Sequence, residues 1–113
     1  MQTIVELPEF LKQAKTLLSD DEKTSVISYL AAHPKAGDLI KGTGGVRKLR
    51  WATGNKGKSG SVRVIYYYYN KTIPLFLLTA FAKNEKDNLS PAERNELAKL
   101  TTLIVQYYGN YHE

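Results

Sequence analysis

The chain has 113 residues, contains no cysteine and carries a formal net charge of +5. A chain of this length is expected to form one domain, residues 1–113, with a real hydrophobic core. The lack of cysteine excludes disulfides, thiolate catalysis and cysteine-based zinc sites. No signal peptide is expected, because the first ten residues lack a basic segment followed by an apolar one. No membrane span is expected either, because the longest apolar run, Ile73 to Ala82, contains Pro74 and is too short. We therefore expect a soluble cytoplasmic protein.

The positive charge is concentrated in the middle of the chain. Residues 39–84 contain nine Lys and Arg and no Asp or Glu, whereas the other seven basic residues are outnumbered by all eleven acids. This segment therefore carries +9 and the remainder carries −4. A local positive field of this kind attracts phosphates and nucleic acids, although it says little about the fold.

The N-terminal third predicts a short strand followed by two helices. Thr3 to Glu6 is β-branched, and an apolar stripe then indicates a helix from about Pro8 to Leu18. Ser19 begins a capping box that predicts a second helix from about Asp20 to Ala32. The residues expected to face inward on this second helix are Val26, Tyr29, Leu30 and His33. With almost no loop between them, the two helices should form an antiparallel hairpin.

The rest of the chain predicts three strands and a last helix. Strands are expected from Val46 to Ala52, Ser61 to Tyr69 and Leu75 to Phe81, the last one central and covered on both faces. Ser90 to Glu93 marks the start of a helix that Gly109 should end. The order β-α-α-β-β-β-α predicts an α+β fold in which a small antiparallel sheet carries the helices on one face.

Period-two alternation places cations on the open face of this sheet. Lys48 and Arg50 point away from Leu49 and Trp51, whereas Arg47 shares the packed side near the start of its strand. The other residues expected on or around the open face are Lys56, Lys58, Arg63, Tyr67, Tyr69, Phe81, Lys83 and Asn84. Cations that meet phosphates, with aromatic rings that stack on bases, suit single-stranded nucleic acid. The simpler alternative is that the lysines are solvated and the tyrosines pack within the sheet.

Metal chemistry is not predicted. His33 lies at a helix end and His112 near the carboxyl terminus, both far in sequence from the basic strands. Two histidines without cysteine or clustered carboxylates do not make a metal site. Gly42 to Gly45 followed by Lys48 lacks the spacing of a phosphate-binding loop and leads into a strand.

Three short motifs carry a resemblance to a known family. They are G-T-G-G-x-R-K-x-R from Gly42, G-K-x-G-x-x-R-x-I-Y-Y from Gly57, and A-K-N-E from Ala82. Together with the two early helices, they resemble the RelE/ParE superfamily of toxins from bacterial type II toxin-antitoxin modules, particularly its HigB-like members. The resemblance covers most of the chain.

The resemblance implies a fold of the microbial ribonuclease type and an endoribonuclease, without cofactor or metal, that cuts mRNA in the ribosomal A site. It also implies a cognate antitoxin that neutralises the toxin, with operon DNA reached only through that antitoxin. Matched by position, the catalytic residues would be Arg63, Lys48, Arg50 and Lys83. The RNA-binding residues would be Arg47, Lys56, Lys58, Tyr67, Tyr69, Phe81 and Asn84.

Cleavage of this type uses a ribose 2′-hydroxyl to attack the adjacent phosphate, which requires a base, a charge clamp and an acid. Arg63 suits the clamp because its planar fork binds two oxygens. A neutral lysine among Lys48, Lys56 and Lys58 is the candidate base, since crowded cations favour the neutral form. In relatives a carboxyl-terminal aromatic residue takes part, and here the candidates are Tyr107, Tyr108 and Tyr111, which the sequence does not separate from core tyrosines.

Two other functions remain open at this stage. A ParE-like toxin would share the fold and block DNA gyrase through protein contacts, and a plain RNA-binding module would bind without turnover. The dense cations without acids favour RNA. The antitoxin is expected to cover the basic face or the last helix with an acidic segment or an apolar helix.

Overall fold

The structure is a computed structural model that describes residues 1–53, 61–86 and 88–111. It contains eight elements in chain order: β1 (Ile4–Glu6), α1 (Pro8–Leu17), α2 (Asp20–Ala32), β2 (Asp38–Leu39), β3 (Val46–Ala52), β4 (Ser61–Tyr67), β5 (Leu75–Ala82) and α3 (Pro91–Tyr111). The α+β class and the order of the predicted elements are confirmed. The short strand β2 was not predicted, and β4 ends two residues earlier than expected.

The strands form one mixed sheet in the order β1-β5-β4-β3-β2. Strands β2 to β5 pair antiparallel, whereas β1 lies parallel to β5, with Val5 opposite Phe76. The prediction of a purely antiparallel sheet is therefore wrong at one edge. Parallel pairing requires a long connection, and here the helical hairpin and three strands intervene between the two partners.

Helices cover both faces of the sheet, which corrects the prediction that they pack on one face. The hairpin α1–α2 buries Phe10, Val26 and Leu30 against a set of sheet residues that includes Val64 and Leu77. We call this side the hairpin face. Helix α3 covers the opposite side, the α3 face, where it packs against a second apolar cluster: Val46, Ile65, Tyr67, Ile73, Phe76, Leu78, Phe81, Leu89 and Ile104.

Strand β5 is buried on both sides, as its continuous apolar sequence predicted. Its residues alternate between the two clusters, with Leu77 on the hairpin face and Leu78 on the α3 face. The pairing with β4 shifts at this point, because Ile65 lies opposite Thr79 while the next residue, Tyr66, lies opposite Leu77. Leu78 is therefore the extra residue of a β-bulge, which lets β5 place an additional apolar side chain under α3.

Both predicted capping boxes are present. The Ser19 hydroxyl accepts from the backbone N–H of Glu22 at 3.1 Å, and the Glu22 carboxylate accepts from the Ser19 N–H at 2.9 Å. Ser90 and Glu93 repeat this arrangement at 3.1 and 2.8 Å. Each box satisfies two backbone donors that the first turn of a helix leaves unpaired, so both helix starts follow directly from the sequence.

Two details of the predicted helices are wrong. Gly109 lies inside α3, which continues to Tyr111. Tyr29 and His33 are exposed instead of facing inward. The buried stripe of α2 consists of Val26 and Leu30, and Tyr29 lies beside that stripe, where its ring centroid is 5.8 Å from that of Trp51 and 4.9 Å from that of His33.

The loop between β2 and β3 packs closely against α3. The buried Thr43 hydroxyl donates to Ile40 O at 2.6 Å and accepts from Val46 N at 3.1 Å, which closes the loop. Gly44 has φ +76°, and a Cβ there would lie 2.8 Å from Thr101 Oγ1 of α3. Only glycine combines this backbone conformation with such a close approach. Among the helices of the described residues, none is long and apolar enough to cross a membrane.

We predict that Gly44→Ala lowers the free energy of unfolding by about 1–3 kcal/mol, because alanine is strained at positive φ and displaces Thr101. Chemical denaturation followed by circular dichroism measures this change. Gly109→Ala is the matched control, because beyond its chain neighbours and the local helix backbone the added Cβ meets no atom of the described residues within 4 Å. Since alanine is preferred inside a helix, the control should raise stability by up to about 1 kcal/mol. Equal effects of the two substitutions would contradict the conclusion that the packing of this loop against α3 requires glycine at position 44.

Candidate nucleic-acid interface

Two arginines lie directly opposite each other on the α3 face. Arg50 of β3 pairs in register with Arg63 of β4. Side chains opposite each other on antiparallel strands are about 5 Å apart at Cβ, and like charges at such positions are destabilising. Within the described parts of the chain, neither guanidinium forms an ion pair with a carboxylate. A phosphate between the two would relieve this repulsion and could accept hydrogen bonds from both.

The Arg63 side chain is partly oriented from its own strand. Its Nη1 donates to the hydroxyl oxygen of Ser61 at 3.1 Å. Ser61 is buried and Arg63 is half-buried, whereas Arg50 is exposed. Arg63 therefore offers a more fixed donor group than Arg50, which suits the anchoring half of an anion clamp.

Lys48 lies on the same face, two residues before Arg50 on β3. Its register partner is Ile65, and its Nζ donates to Asn88 Oδ1 at 3.0 Å. Asn88 belongs to the segment between β5 and α3, and sequence reasoning missed it. No spacing pattern could have identified this residue, because the contact spans 40 residues.

Lys83 and Asn84 lie in the turn after β5, and both are exposed. The Lys83 N–H donates to Ser61 O at 3.2 Å, so this turn lies beside the start of β4, two residues from Arg63. The structure therefore brings Lys48, Arg50, Arg63 and Lys83 to one end of the α3 face. We call these four residues the cation cluster.

Phe81 forms the apolar border of the cation cluster. It pairs in register with Arg63, is 5% exposed, and has Lys86 Nζ 4.9 Å from its ring centroid. Lys86 also forms an ion pair with Glu93. This ion pair, together with the capping hydrogen bonds, lowers the pKa of Glu93. Phe81 therefore packs beneath Lys86 and has no free ring face for a base, and Lys86 is a neighbour that the motifs did not reveal.

The predicted tyrosines lie at the other end of the sheet. Tyr67 is opposite Val46 and only 3% exposed, and burial raises its pKa. It lies four positions along β4 from Arg63, which is about 13 Å at strand geometry. Tyr69 is 51% exposed, with its ring 6.4 Å from that of Tyr67. Neither tyrosine therefore lies beside the Arg50–Arg63 pair.

The C-terminal tyrosines also lie away from the cation cluster. The ring of Tyr108 is 5.6 Å from that of Phe76, and Phe76 is opposite Tyr67 in the β4–β5 ladder. Tyr107 is exposed beside it. The side chain of Tyr111 lies outside the described part of the structure, as do Lys56, Lys58 and His112.

A comparison with protein families matches nearly the whole chain to a known family. The family model described as the RelE toxin of the RelE / RelB toxin-antitoxin system matches residues 4–110. The chain belongs to the RelE toxin family. It is therefore a toxin of a toxin-antitoxin system, as the motifs indicated, and toxins of this family pair with an antitoxin. The closer likeness to HigB-like members stays a prediction.

In this RelE-family toxin, Arg47 serves the fold. It points to the hairpin face, where its Nη1 donates to Gly37 O at 2.8 Å and to Lys35 O at 3.2 Å. These carbonyls lie just beyond the end of α2, so the structure separates Arg47 from the cation cluster.

Tyr66 of the neighbouring strand β4 binds the same segment after α2. Its hydroxyl donates to Pro34 O at 2.9 Å and accepts from the Gly37 N–H at 2.8 Å. A Cβ on Gly37 would lie 2.8 Å from the Tyr66 ring. Arg47 and Tyr66 together fix residues 34–37 and hence the edge strand β2. No group of three or more metal-binding side chains occurs among the residues that the structure describes.

We predict that Tyr66→Phe lowers the free energy of unfolding by about 1–3 kcal/mol at neutral pH, because the buried N–H of Gly37 loses its acceptor. The substitution should also change the alkaline behaviour. Burial raises the pKa of Tyr66 above its ordinary value of 10.0, so the folded state holds this proton more tightly than the unfolded state. The stability of the parent toxin should therefore decline as the pH rises above about 10.

Denaturation at pH 7 and at about pH 10.5 measures both effects. The decline between the two pH values should be smaller in Tyr66→Phe, although Tyr67 preserves part of it. Tyr69→Phe is the control, because its side chain is exposed and its removal should change stability by less than about 0.5 kcal/mol. A Tyr66→Phe protein as stable as this control would refute the proposed role of the Tyr66 hydroxyl in holding residues 34–37.

Proposed function

We propose that this toxin is a ribosome-dependent endoribonuclease that cleaves mRNA in the A site and so inhibits translation. It would act in the cytoplasm as a single domain, residues 1–113, under the control of a cognate antitoxin through which alone it reaches operon DNA. The observation that carries the proposal is the opposed pair Arg50–Arg63, which lies on a sheet face without ion-pair partners in the described residues. Family membership supports the same class of activity.

The proposed reaction is an internal transesterification that needs no metal. The 2′-hydroxyl gives its proton to a base while its oxygen forms a bond to the adjacent phosphorus. The bond to the 5′-oxygen breaks, this leaving oxygen takes up a proton from an acid, and a 2′,3′-cyclic phosphate remains. Negative charge builds up on the phosphorane oxygens during this step. Arg63 and Arg50 would bind those oxygens, which stabilises the transition state more than the substrate because the charge is greater there.

The lysines of the cation cluster would transfer protons and position the RNA. Lys48 is held by Asn88 on the same face, and it is our candidate base. Lys56 and Lys58, which lie outside the described residues, stay candidates from the sequence. Lys83 would approach the phosphate from the turn after β5, where its exposed side chain is beside Ser61 and Arg63. Asn84 in the same turn would contact the flanking RNA.

The aromatic residues would divide between packing and binding. Phe81 is buried opposite Arg63, so it would shape the site from below, whereas the buried Tyr67 and the carbonyl-bound Arg47 would support the fold. Tyr69 keeps half of its surface exposed and could stack on a nucleotide several positions away from the cut. Such a stack is sequence-tolerant and contributes about 1–3 kcal/mol per base.

We predict that Arg63→Ala and Arg50→Ala each reduce cleavage at least about 100-fold, because each removes a charged donor aimed at the transition state. Their folding stability should be unchanged or slightly higher, since each substitution ends a like-charge pair. Primer extension on a defined transcript, with and without translating ribosomes, measures the cuts.

Lys71→Ala is the matched control. It removes one positive charge from the same basic segment, but Lys71 lies in the exposed turn after β4, away from the cation cluster. Its cuts should match those of the parent toxin. Discrete cuts that persist in Arg63→Ala would disprove the assignment of Arg63 to phosphate binding in the transition state. Intact RNA in the presence of a parent toxin that still arrests growth would move the function to gyrase inhibition.

A further inference from the structure

A second feature lies beside the cation cluster, an open groove of about 650 Å³ between the hairpin and α3. The start of α1, strand β5 and the N-terminal half of α3 form its walls. Its floor is apolar and includes Leu78, Phe81, Leu89 and Leu97. A cavity of this size accommodates several aliphatic side chains.

The rim of this groove is acidic, in contrast to the chain as a whole. Four carboxylates line it, namely Glu9, Glu85, Glu93 and Glu96, with Lys86 as the one lining cation in the described residues. Lys86 and Glu93 are already paired. Glu9 accepts from the neutral amide of Gln13, and Glu96 is 3.6 Å from Lys99, with both side chains about three-quarters exposed. The groove thus presents negative charge on a protein whose net charge is +5.

The acidic rim and the apolar floor together indicate which class of ligand fits the groove. Carboxylates repel phosphates, so the groove does not extend the RNA-binding surface of the cation cluster. Positively charged side chains at the ends of an apolar stripe would match the rim and the floor at the same time. A segment of a polypeptide that carries aliphatic and basic residues has these properties.

We propose that the groove binds an apolar, basic segment of the cognate antitoxin. The proposal specifies the partner surface of the toxin, and its consequence for RNA rests on the proposed nuclease function. Phe81 forms part of the groove floor and lies opposite Arg63 in the β4–β5 ladder. Glu85 is two residues from Lys83. A segment seated in the groove therefore borders the cation cluster and blocks the approach of RNA from that side.

The charge of this segment differs from the acidic one that the basic strands first suggested. An acidic segment would compete directly for the cation cluster, whereas a basic segment is guided to the groove by the carboxylates of its rim. The two cases have opposite responses to mutation of those carboxylates. Charge reversal on the rim weakens the binding of a basic segment and strengthens that of an acidic one.

The test uses the full-length toxin and the full-length antitoxin encoded in the same module. The variant is Glu85→Lys together with Glu96→Lys, at two exposed positions of the rim. The dissociation constant, measured by titration calorimetry at low and moderate salt without RNA, should rise at least about tenfold, with the larger rise at low salt. Hydrogen exchange of the complex should show protection in β5 and the first half of α3.

Asp21→Lys together with Asp38→Lys is the control, because it changes the net charge equally at exposed positions outside the groove. Its dissociation constant should stay within about threefold of the parent value. Equal binding by both double variants, tighter binding by the rim variant, or protection elsewhere would overturn the proposal, as would groove protection that appears only through self-association. Binding is measured without RNA, so the result is separate from any failure of the nuclease assay.

Discussion

The register of β3, β4 and β5 is the constraint on which the rest of this structure depends. One row across these strands contains Arg50, Arg63 and Phe81. Because side chains alternate between the faces of a sheet, a slip of one residue in β4 would move Arg63 into the hairpin core and bring Val64 to the open face. The apolar residues on both sides of β4 make that slip costly. The same burial that stabilises the sheet therefore also fixes Arg50 opposite Arg63.

The α3 face combines two opposite electrostatic surfaces. Cations occupy its β3–β4 side, and carboxylates line the groove between β5 and α3. Phe81 and Lys86 lie at the boundary, where Lys86 is over the ring and is paired with Glu93. Separation of the charges by an apolar strip lets each surface keep its own field at short range, since screening limits the reach of exposed charges to about 10 Å.

Much of the fold could be predicted because its signals are local. The two capping boxes place the starts of α2 and α3 within a few residues, and the alternation in β3 separates Lys48 and Arg50 from Leu49. The motifs shared with RelE toxins lie on the same strands and were enough to indicate the family. The pairing of Arg50 with Arg63 follows from these strands once their register is known.

The features that escaped prediction depend on distant parts of the chain. Nothing in the sequence of α3 says which sheet face it covers, because its stripe would fit either apolar surface. The run Tyr66 to Tyr69 has an aromatic ring at every position, so its composition cannot separate Tyr67, which is buried, from Tyr69, which is exposed. The contact between Lys48 and Asn88, and the role of Arg47 as a clamp for residues 34–37, likewise arise only when separate segments meet.

The parallel pair β1–β5 has a consequence for how the toxin comes into being. Val5 is opposite Phe76, so the first strand waits for a partner about 70 residues later, and contacts at such separation form late in folding. Phe81, which borders the cation cluster, belongs to the same late strand. During synthesis, the early segments therefore leave the ribosome without a complete sheet, and the arginine pair has no supporting neighbour until β5 arrives. The row of Arg50, Arg63 and Phe81 is thus completed only after most of the chain has been made.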